Sequence, residues 1–160
     1  MRCARTSRGK TERGAAAIEF ALVAPLLILL VMGVISYGYM LSFRQTLSQG
    51  AAEGSRAAAV SPFPAAADRQ QEGLEALNEA LRSYGVTCDG YALGSHLRKD
   101  EGNVGTCSVT IGSCPNDPTK DCVTTAIDYA YGAHPLTPNF PGVHLVLPEQ
   151  LSYDSVARTS

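Results

Sequence analysis

The sequence predicts an α+β fold, in which a long N-terminal membrane-spanning helix extends into a small head with a second helix and a short antiparallel sheet. Between Ala15 and Leu41 the only formal charge is Glu19. Leucines at helical spacing follow at Leu74, Leu77 and Leu81. After residue 86 apolar and polar residues alternate in short runs, which is typical of β-strands.

The apolar stretch at 15–41 is longer than the ~20 residues that a helix needs to cross a bilayer. It is also too long for the apolar core of a cleaved secretory signal, which holds about 7–15 residues. The charged residues before it are almost all basic: Arg2, Arg5, Arg8, Lys10 and Arg13, against the acid Glu12. Because basic residues favour the cytoplasmic side, we expect a cytoplasmic N-terminus and an exported C-terminal part.

Glu19 lies inside this stretch, close to its start. A carboxylate at the centre of a membrane helix costs about 2.5–3.5 kcal/mol, and such residues commonly have a partner. If the chain is cut after Gly14, Ala15 becomes the new N-terminus and Glu19 lies four residues beyond it. The freed α-amine is a cation at neutral pH. Glu19 of one subunit could therefore neutralise the amine of a neighbouring subunit.

Residues 13–20, Arg-Gly-Ala-Ala-Ala-Ile-Glu-Phe, resemble a class III signal peptide and the opening of TadE-like proteins, the pseudopilins of tight-adherence (Flp, type IVc) pilus systems. Residues 51–59 resemble the same family. The resemblance implies a processing site at Gly14 and Ala15, and a subunit-assembly role for Glu19 and Phe20. It implies a pilin-like head and no catalytic residues.

The function implied by this resemblance is that of a minor pseudopilin, cleaved by a prepilin peptidase after Gly14, that helps to prime pilus assembly. The expected partners are that peptidase, other pseudopilins, the major pilin, the inner-membrane assembly platform and membrane lipid. The expected location is the inner membrane, single-pass, with a periplasmic head that can enter the pilus. The predicted divisions are a leader at 1–14, a transmembrane helix at 15–41, its periplasmic extension at 42–60 and the head at 61–160.

Two other functions remain open from the sequence: an uncleaved, signal-anchored periplasmic binding or scaffold domain, and a membrane-anchored hydrolase or redox enzyme. No catalytic motif supports the enzyme, and the net charge of −2 does not suggest a nucleic-acid surface. We predict neither metal nor cofactor. His96, His134 and His144 are scattered, whereas Asn116, Asp117 and Asp121 share one turn but lack the EF-hand pattern for calcium.

The chain has five cysteines, of which Cys3 lies in the predicted leader. The other four, all on the exported side, are Cys88, Cys107, Cys114 and Cys122. In an oxidising compartment an even number indicates two disulfides, for which three connectivities are possible. We favour Cys88–Cys107 and Cys114–Cys122, because the second pair would close a hairpin loop. The spacing lacks the C-x₂-C knuckle of a zinc site.

Within the head, we expect a second helix at 65–84 and a β-hairpin that joins strands at 104–111 and 122–131. A turn region at 112–121 would connect the two strands, and 91–103 would form a loop with at most a short strand. Further short strands are expected at 143–147 and 151–157. Tyr37, Tyr39 and Phe43 are expected in an aromatic belt at the outer membrane interface. Gly50 and Gly54 weaken the first helix unless they admit a close contact with the head or a neighbour.

Overall fold

The computed structural model describes residues 11–137 and 147–159. The chain divides into two compact units, Met1–Tyr37 and Gly38–Ser160. The helices are α1 (Thr11–Val60) and α2 (Ala66–Leu81), the latter followed by a single 3₁₀ turn at Arg82–Tyr84. The strands are β1 (Val86–Cys88), β2 (Ser95–Lys99), β3 (Gly102–Cys114), β4 (Asp117–Tyr129) and β5 (Leu151–Arg158). The predicted α+β fold is confirmed.

In the first unit, α1 is apolar around its whole circumference. Among the described residues, α1 is the one helix that is long and apolar enough to span a membrane. Its most apolar stretch is exposed rather than buried. Large side chains such as Leu22 and Phe20 are exposed, which in water would be unfavourable but suits a lipid environment. The helix runs through Pro25 without a break.

In the second unit, the five strands form one antiparallel sheet in the order β1-β2-β3-β4-β5. The predicted hairpin is confirmed: β3 and β4 pair from Gly105↔Tyr129 to Ser113↔Asp121. The predicted turn at 112–121 is too long, because β3 continues to Cys114 and β4 begins at Asp117. A register shift between Ser113 and Cys114 accommodates Pro118, which cannot donate a ladder hydrogen bond.

The predicted loop at 91–103 contains β2, which pairs with β1 and β3. Only Leu97 of this short strand is buried, so its alternation is weak in the sequence. Asp100, with a φ of 53°, lies in the tight turn that leads into β3. The predicted strand at 151–157 is confirmed as β5. The predicted strand at 143–147 lies outside the described residues except for Leu147, which is not in a strand.

The part of α1 from Gly38 onward belongs to the core of the second unit. Its buried apolar residues recur on one helical face: Met40, Phe43, Leu47, Ala51 and Ala58. They join the leucines of α2 and the inward residues of β4, such as Val123 and Ile127, in one hydrophobic cluster. Phe43 is therefore a core residue, and its predicted place in an exposed aromatic belt is wrong. Tyr37 and Tyr39 are exposed.

The two helices pack closely at Gly54 and Gly73. A Cβ atom built on Gly73 would lie 2.7 Å from the carbonyl oxygen of Gly54 and 2.9 Å from Val109. A Cβ atom on Gly54 would lie 3.1 Å from the carbonyl oxygen of Gly73 and 3.2 Å from Thr125. The glycines of α1 therefore admit a close contact within the chain itself, which offsets their cost of about 1 kcal/mol each in a helix.

Gly105 is closely surrounded by the backbone of β4, and we expect its substitution to destabilise the fold. A Cβ atom there would overlap the carbonyl oxygen of Asp128 and lie 3.1 Å from the Cα atom of Tyr129. Because both neighbours are backbone atoms, Gly105→Ala should lower the free energy of unfolding by about 1–3 kcal/mol.

Urea denaturation of the full chain in detergent micelles, followed by near-ultraviolet circular dichroism, measures this change. Gly112→Ala is the matched control, since it lies in the same strand and its Cβ atom would meet nothing within 4 Å. Equal unfolding free energies for the two variants would contradict the steric argument.

Candidate functional site

The predicted processing site lies on α1 in the first unit. Gly14 and Ala15 are both exposed, and a Cβ atom on Gly14 would meet nothing within 4 Å. The leader residues 1–10 lie outside the described part of the chain. The bond after Gly14 therefore lies in helical backbone, on an exposed stretch of α1.

The two residues predicted for subunit assembly follow on the same helix and are also exposed, Phe20 to 71%. Ala15 and Glu19 are four residues apart, so they lie on one face of α1. Glu19 is the only charged residue between Ala15 and Tyr37. Arg82–Glu79 and Arg98–Asp89 form ion pairs in the described part of the chain, and neither includes Glu19. The arrangement presents a carboxylate on an apolar, uncovered helix.

The second unit has two disulfides with the pairing favoured from the sequence. Cys88–Cys107 joins β1 to β3 across β2, with Cα atoms 6.0 Å apart. Cys114–Cys122 closes the end of the β3–β4 hairpin, with Cα atoms 4.9 Å apart. In the chain-entropy model, loops of 19 and 8 residues are worth about 3 and 2.5 kcal/mol of stability. The disulfides thus stabilise the strands that follow α2.

An aromatic cluster around Phe43 was not predicted from the sequence. The ring of Phe43 lies 4.8 Å from that of Tyr129 and 4.9 Å from that of Tyr84, between centroids. Tyr131 and Tyr39 extend the cluster at its margins. The spacing of Met40, Phe43 and Leu47 is a helical core pattern that could have revealed it. Part of α1 belongs to the second unit, and the cluster packs the first turns of that part against the sheet.

Two ionisable environments in the second unit differ from those of free side chains. Burial raises the pKa of Tyr129 to about 12, with a smaller contribution from Tyr131, and the Tyr129 hydroxyl donates to the carbonyl oxygen of His134 at 2.9 Å. Burial likewise raises the pKa of Tyr131. Hydrogen bonds from the Arg98 side chain and the His96 backbone lower the pKa of the exposed Asp89. The hydrogen bond of Tyr129 holds the segment at His134 in place, and those of Asp89 hold the connection between β1 and β2.

Among the described residues, the remaining histidines and the turn residues Asn116, Asp117 and Asp121 do not come together in a metal site. Asp117 accepts hydrogen bonds from the backbone and side chain of Thr119, as in an ordinary turn. Among the described residues there is no group of three or more His, Cys, Asp or Glu side chains that could hold a metal ion. His144 lies outside them. The cavity of about 540 Å³ lined by residues of 130–135 and 147–150 contains none of the predicted site residues.

In a comparison with known families, the model of the TadE-like protein family matches residues 14–56. No curated protein and no solved structure matches the chain. The matched segment begins at the predicted processing site, includes Glu19 and Phe20, and ends two residues beyond Gly54. The resemblance noted in the sequence is therefore confirmed over this segment. It does not include α2, the sheet or the disulfides.

The raised pKa of Tyr129 predicts a loss of stability at alkaline pH. The folded pKa of about 12 exceeds the ordinary value of 10.0, so the unfolded chain ionises first as the pH rises. The contribution of Tyr129 to the free energy of unfolding is complete below about pH 10 and is lost as the pH approaches 12. At 1.36 kcal/mol per pKa unit, the loss amounts to roughly 2–3 kcal/mol.

Unfolding free energies measured in micelles at pH 8 to 12 test this prediction. Tyr129→Phe should flatten the alkaline decline, with Tyr131 responsible for what remains, and should cost about 1 kcal/mol at neutral pH through its lost hydrogen bond. Tyr37→Phe, at an exposed position, is the control. An unchanged decline in Tyr129→Phe would show that the alkaline loss has another origin.

Proposed function

We propose, from the TadE-like match at residues 14–56, that this chain is a minor pseudopilin of a tight-adherence (Flp, type IVc) pilus system, with a role in priming assembly rather than in catalysis. The observation that carries the proposal is the exposed carboxylate of Glu19, the one charged residue between Ala15 and Tyr37. It lies on an exposed apolar stretch of α1, four residues after Ala15, which is the spacing that lets it meet the amine of a processed neighbouring subunit.

In the first proposed step, a prepilin peptidase removes the basic leader after Gly14. The leader's arginines and lysine keep the N-terminus cytoplasmic before cleavage. The absence of a side chain at Gly14, together with its open surroundings, supports access by the peptidase. Cleavage leaves a cationic α-amine on Ala15 at the N-terminal end of the helix.

In the second step, Glu19 of one subunit neutralises the Ala15 amine of an adjoining subunit. The pairing neutralises two charges that are costly in an apolar environment, where a carboxylate costs up to about 2.5–3.5 kcal/mol at the centre of a membrane helix. Phe20, exposed beside it, would pack against the neighbouring helix. Because Ala15 and Glu19 lie on one face of a single helix, a pairing within the chain competes with the one between chains.

In the third step, the chain remains a single-pass inner-membrane protein with its exported part in the periplasm, or it enters the fibre. The two disulfides support an oxidising location for it. Its partners would be other pseudopilins, the major pilin and the assembly platform. The size of the second unit favours a minor, priming role over the bulk of a fibre, since major Flp pilins are expected to have little or no head.

Processing is tested by the N-terminal sequence and intact mass of the protein extracted from membranes of its native host. We expect a chain that begins at Ala15, and we expect Gly14→Ala to retain residues 1–14. Gly33→Ala is the matched control, since this glycine lies on the same exposed helix with nothing within 4 Å. A native chain that retains residues 1–14 would favour an uncleaved, anchored periplasmic domain instead.

The role of Glu19 is tested by its substitution with the isosteric amide. Glu19→Gln should be processed normally but should enter pili at least about tenfold less, because the neighbouring amine then has no counter-charge. Glu53→Gln, an exposed position on the same helix, should leave incorporation unchanged.

Co-expression separates pairing between chains from pairing within one chain. A Gly14→Ala subunit keeps its carboxylate but has no Ala15 amine, whereas a Glu19→Gln subunit keeps only the amine. We expect these two subunits to co-purify with each other more than either does with itself. If the mixed pair co-purifies no better than either variant does with itself, pairing between chains is contradicted.

A further inference from the structure

The two disulfides of the second unit lie in different environments. Cys88 and Cys107 both belong to its hydrophobic cluster, where they are 4% and 3% exposed. The side-chain amide of Asn78, on α2, accepts the backbone N–H of Cys88 at 2.7 Å and donates to its carbonyl oxygen at 3.1 Å. Among the described residues, the cluster includes neither Cys114 nor Cys122. The first disulfide is therefore part of the core, whereas the second lies outside it.

The Cys114–Cys122 disulfide lies on the face of the sheet opposite to the hydrophobic cluster. Val123 is fully buried in that cluster, and successive side chains of a strand point to opposite faces. Cys122 therefore points away from the cluster, and Cys114 is bonded to it. Arg158 is directly opposite Cys122 in the pairing of β4 with β5, so these two side chains are neighbours on one face.

Both sulfurs of Cys114–Cys122 belong to residues that line a cavity of about 340 Å³. The two cysteines keep 9% and 6% of their surface exposed, more than Cys88–Cys107 does, and most of the other lining residues are exposed. The cavity is therefore at the surface. Its described lining includes two cations, Lys120 and Arg158, and one acid, Asp117, whose carboxylate is already hydrogen-bonded within the turn. The disulfide thus has a net positive charge around it.

We propose that Cys114–Cys122 is a site of reversible modification by an anionic low-molecular-weight thiol, through thiol–disulfide exchange. The incoming thiolate attacks the sulfur of Cys114 and forms a new S–S bond with it, while the Cys114–Cys122 bond breaks. The electron pair of the broken bond leaves with the sulfur of Cys122, which becomes a thiolate. Arg158, opposite Cys122, stabilises this leaving thiolate, and this directs the attack to Cys114.

The charge of the cavity selects the class of thiol. A thiolate that also carries a carboxylate or sulfonate is attracted by Lys120 and Arg158, whereas one that carries an ammonium group is repelled. Attack of the Cys122 thiolate on the adduct expels the small thiol and restores the original disulfide, so the modification is reversible. The reaction goes beyond the proposed assembly role, because it requires neither cleavage after Gly14 nor a second subunit.

The test treats the full chain in detergent micelles with two small thiols of opposite charge, mercaptoethanesulfonate and cysteamine, at equal thiolate concentrations. Samples are quenched with acid and alkylated, and peptide mapping by mass spectrometry locates the opened disulfide and the adduct. Near-ultraviolet circular dichroism verifies that the fold persists during the reaction. We expect Cys114–Cys122 to open at least about tenfold faster with the anionic thiol, with the adduct on Cys114 and with Cys88–Cys107 intact.

Variants of Arg158 separate an electrostatic role from a structural one. Arg158→Gln should reduce the preference for the anionic thiol about threefold or more, whereas Arg158→Lys, which keeps the charge, should retain it. Arg82→Gln is the matched control, since Arg82 is exposed and does not line the cavity.

Three results would overturn the proposal while the fold persists. They are equal rates for the two thiols, an adduct mainly on Cys122, and opening of Cys88–Cys107 as fast as that of Cys114–Cys122. Absence of opening at millimolar thiol would overturn it as well, because the cavity would then not admit a thiolate.

Discussion

The close contact between the two helices and the sheet at Gly54, Gly73 and Thr125 is the constraint on which the second unit depends. At this point the backbone of α1 lies directly on that of α2, and both lie on the sheet, so there is no room for a Cβ atom on Gly73. The hydroxyl of Thr125 is buried there without a hydrogen-bond partner in the described part of the chain. An unpaired buried hydroxyl costs about 1–3 kcal/mol. The close packing of the two helices on the sheet around this hydroxyl offsets that cost.

This constraint divides the buried face of α1 into two parts with different chemistry. Met40, Phe43 and Leu47 bury large side chains, and each fully buried side chain of this kind contributes about 1.5–3 kcal/mol. The alanines that follow bury much less area. Polar contacts help to hold that end: Arg69 donates to the carbonyl oxygens of Ala58 and Ala59, and Ser55 bonds Ser155. The aromatic cluster thus anchors α1, whereas close backbone packing and hydrogen bonds align its end.

The sequence predicted the elements whose signals are local and missed those that depend on distant neighbours. The apolar helix, the leucine stripe of α2 and the alternation of β4 are readable because each repeats over several turns or strand residues. β2 has a single buried residue, Leu97, so its pairing with β3 is visible only in three dimensions. Phe43 was misplaced because an aromatic residue just after an apolar stretch suits both a membrane interface and a core. The segment at Gly14, Ala15 and Glu19 was recognisable from its motif, and the family match confirms that likeness without testing the residues' roles.

The family match ends at residue 56, so it supports an assembly role for α1 and leaves α2, the sheet and the disulfides without a matched counterpart. Within the described residues, Glu19 is a single carboxylate on an apolar, exposed stretch of α1, and neither Arg82–Glu79 nor Arg98–Asp89 includes it. If the proposed processing occurs, the amine of a second chain would satisfy this carboxylate, and every subunit with the same motif would carry such an amine. Selectivity among those subunits would then have to come from residues outside the matched segment.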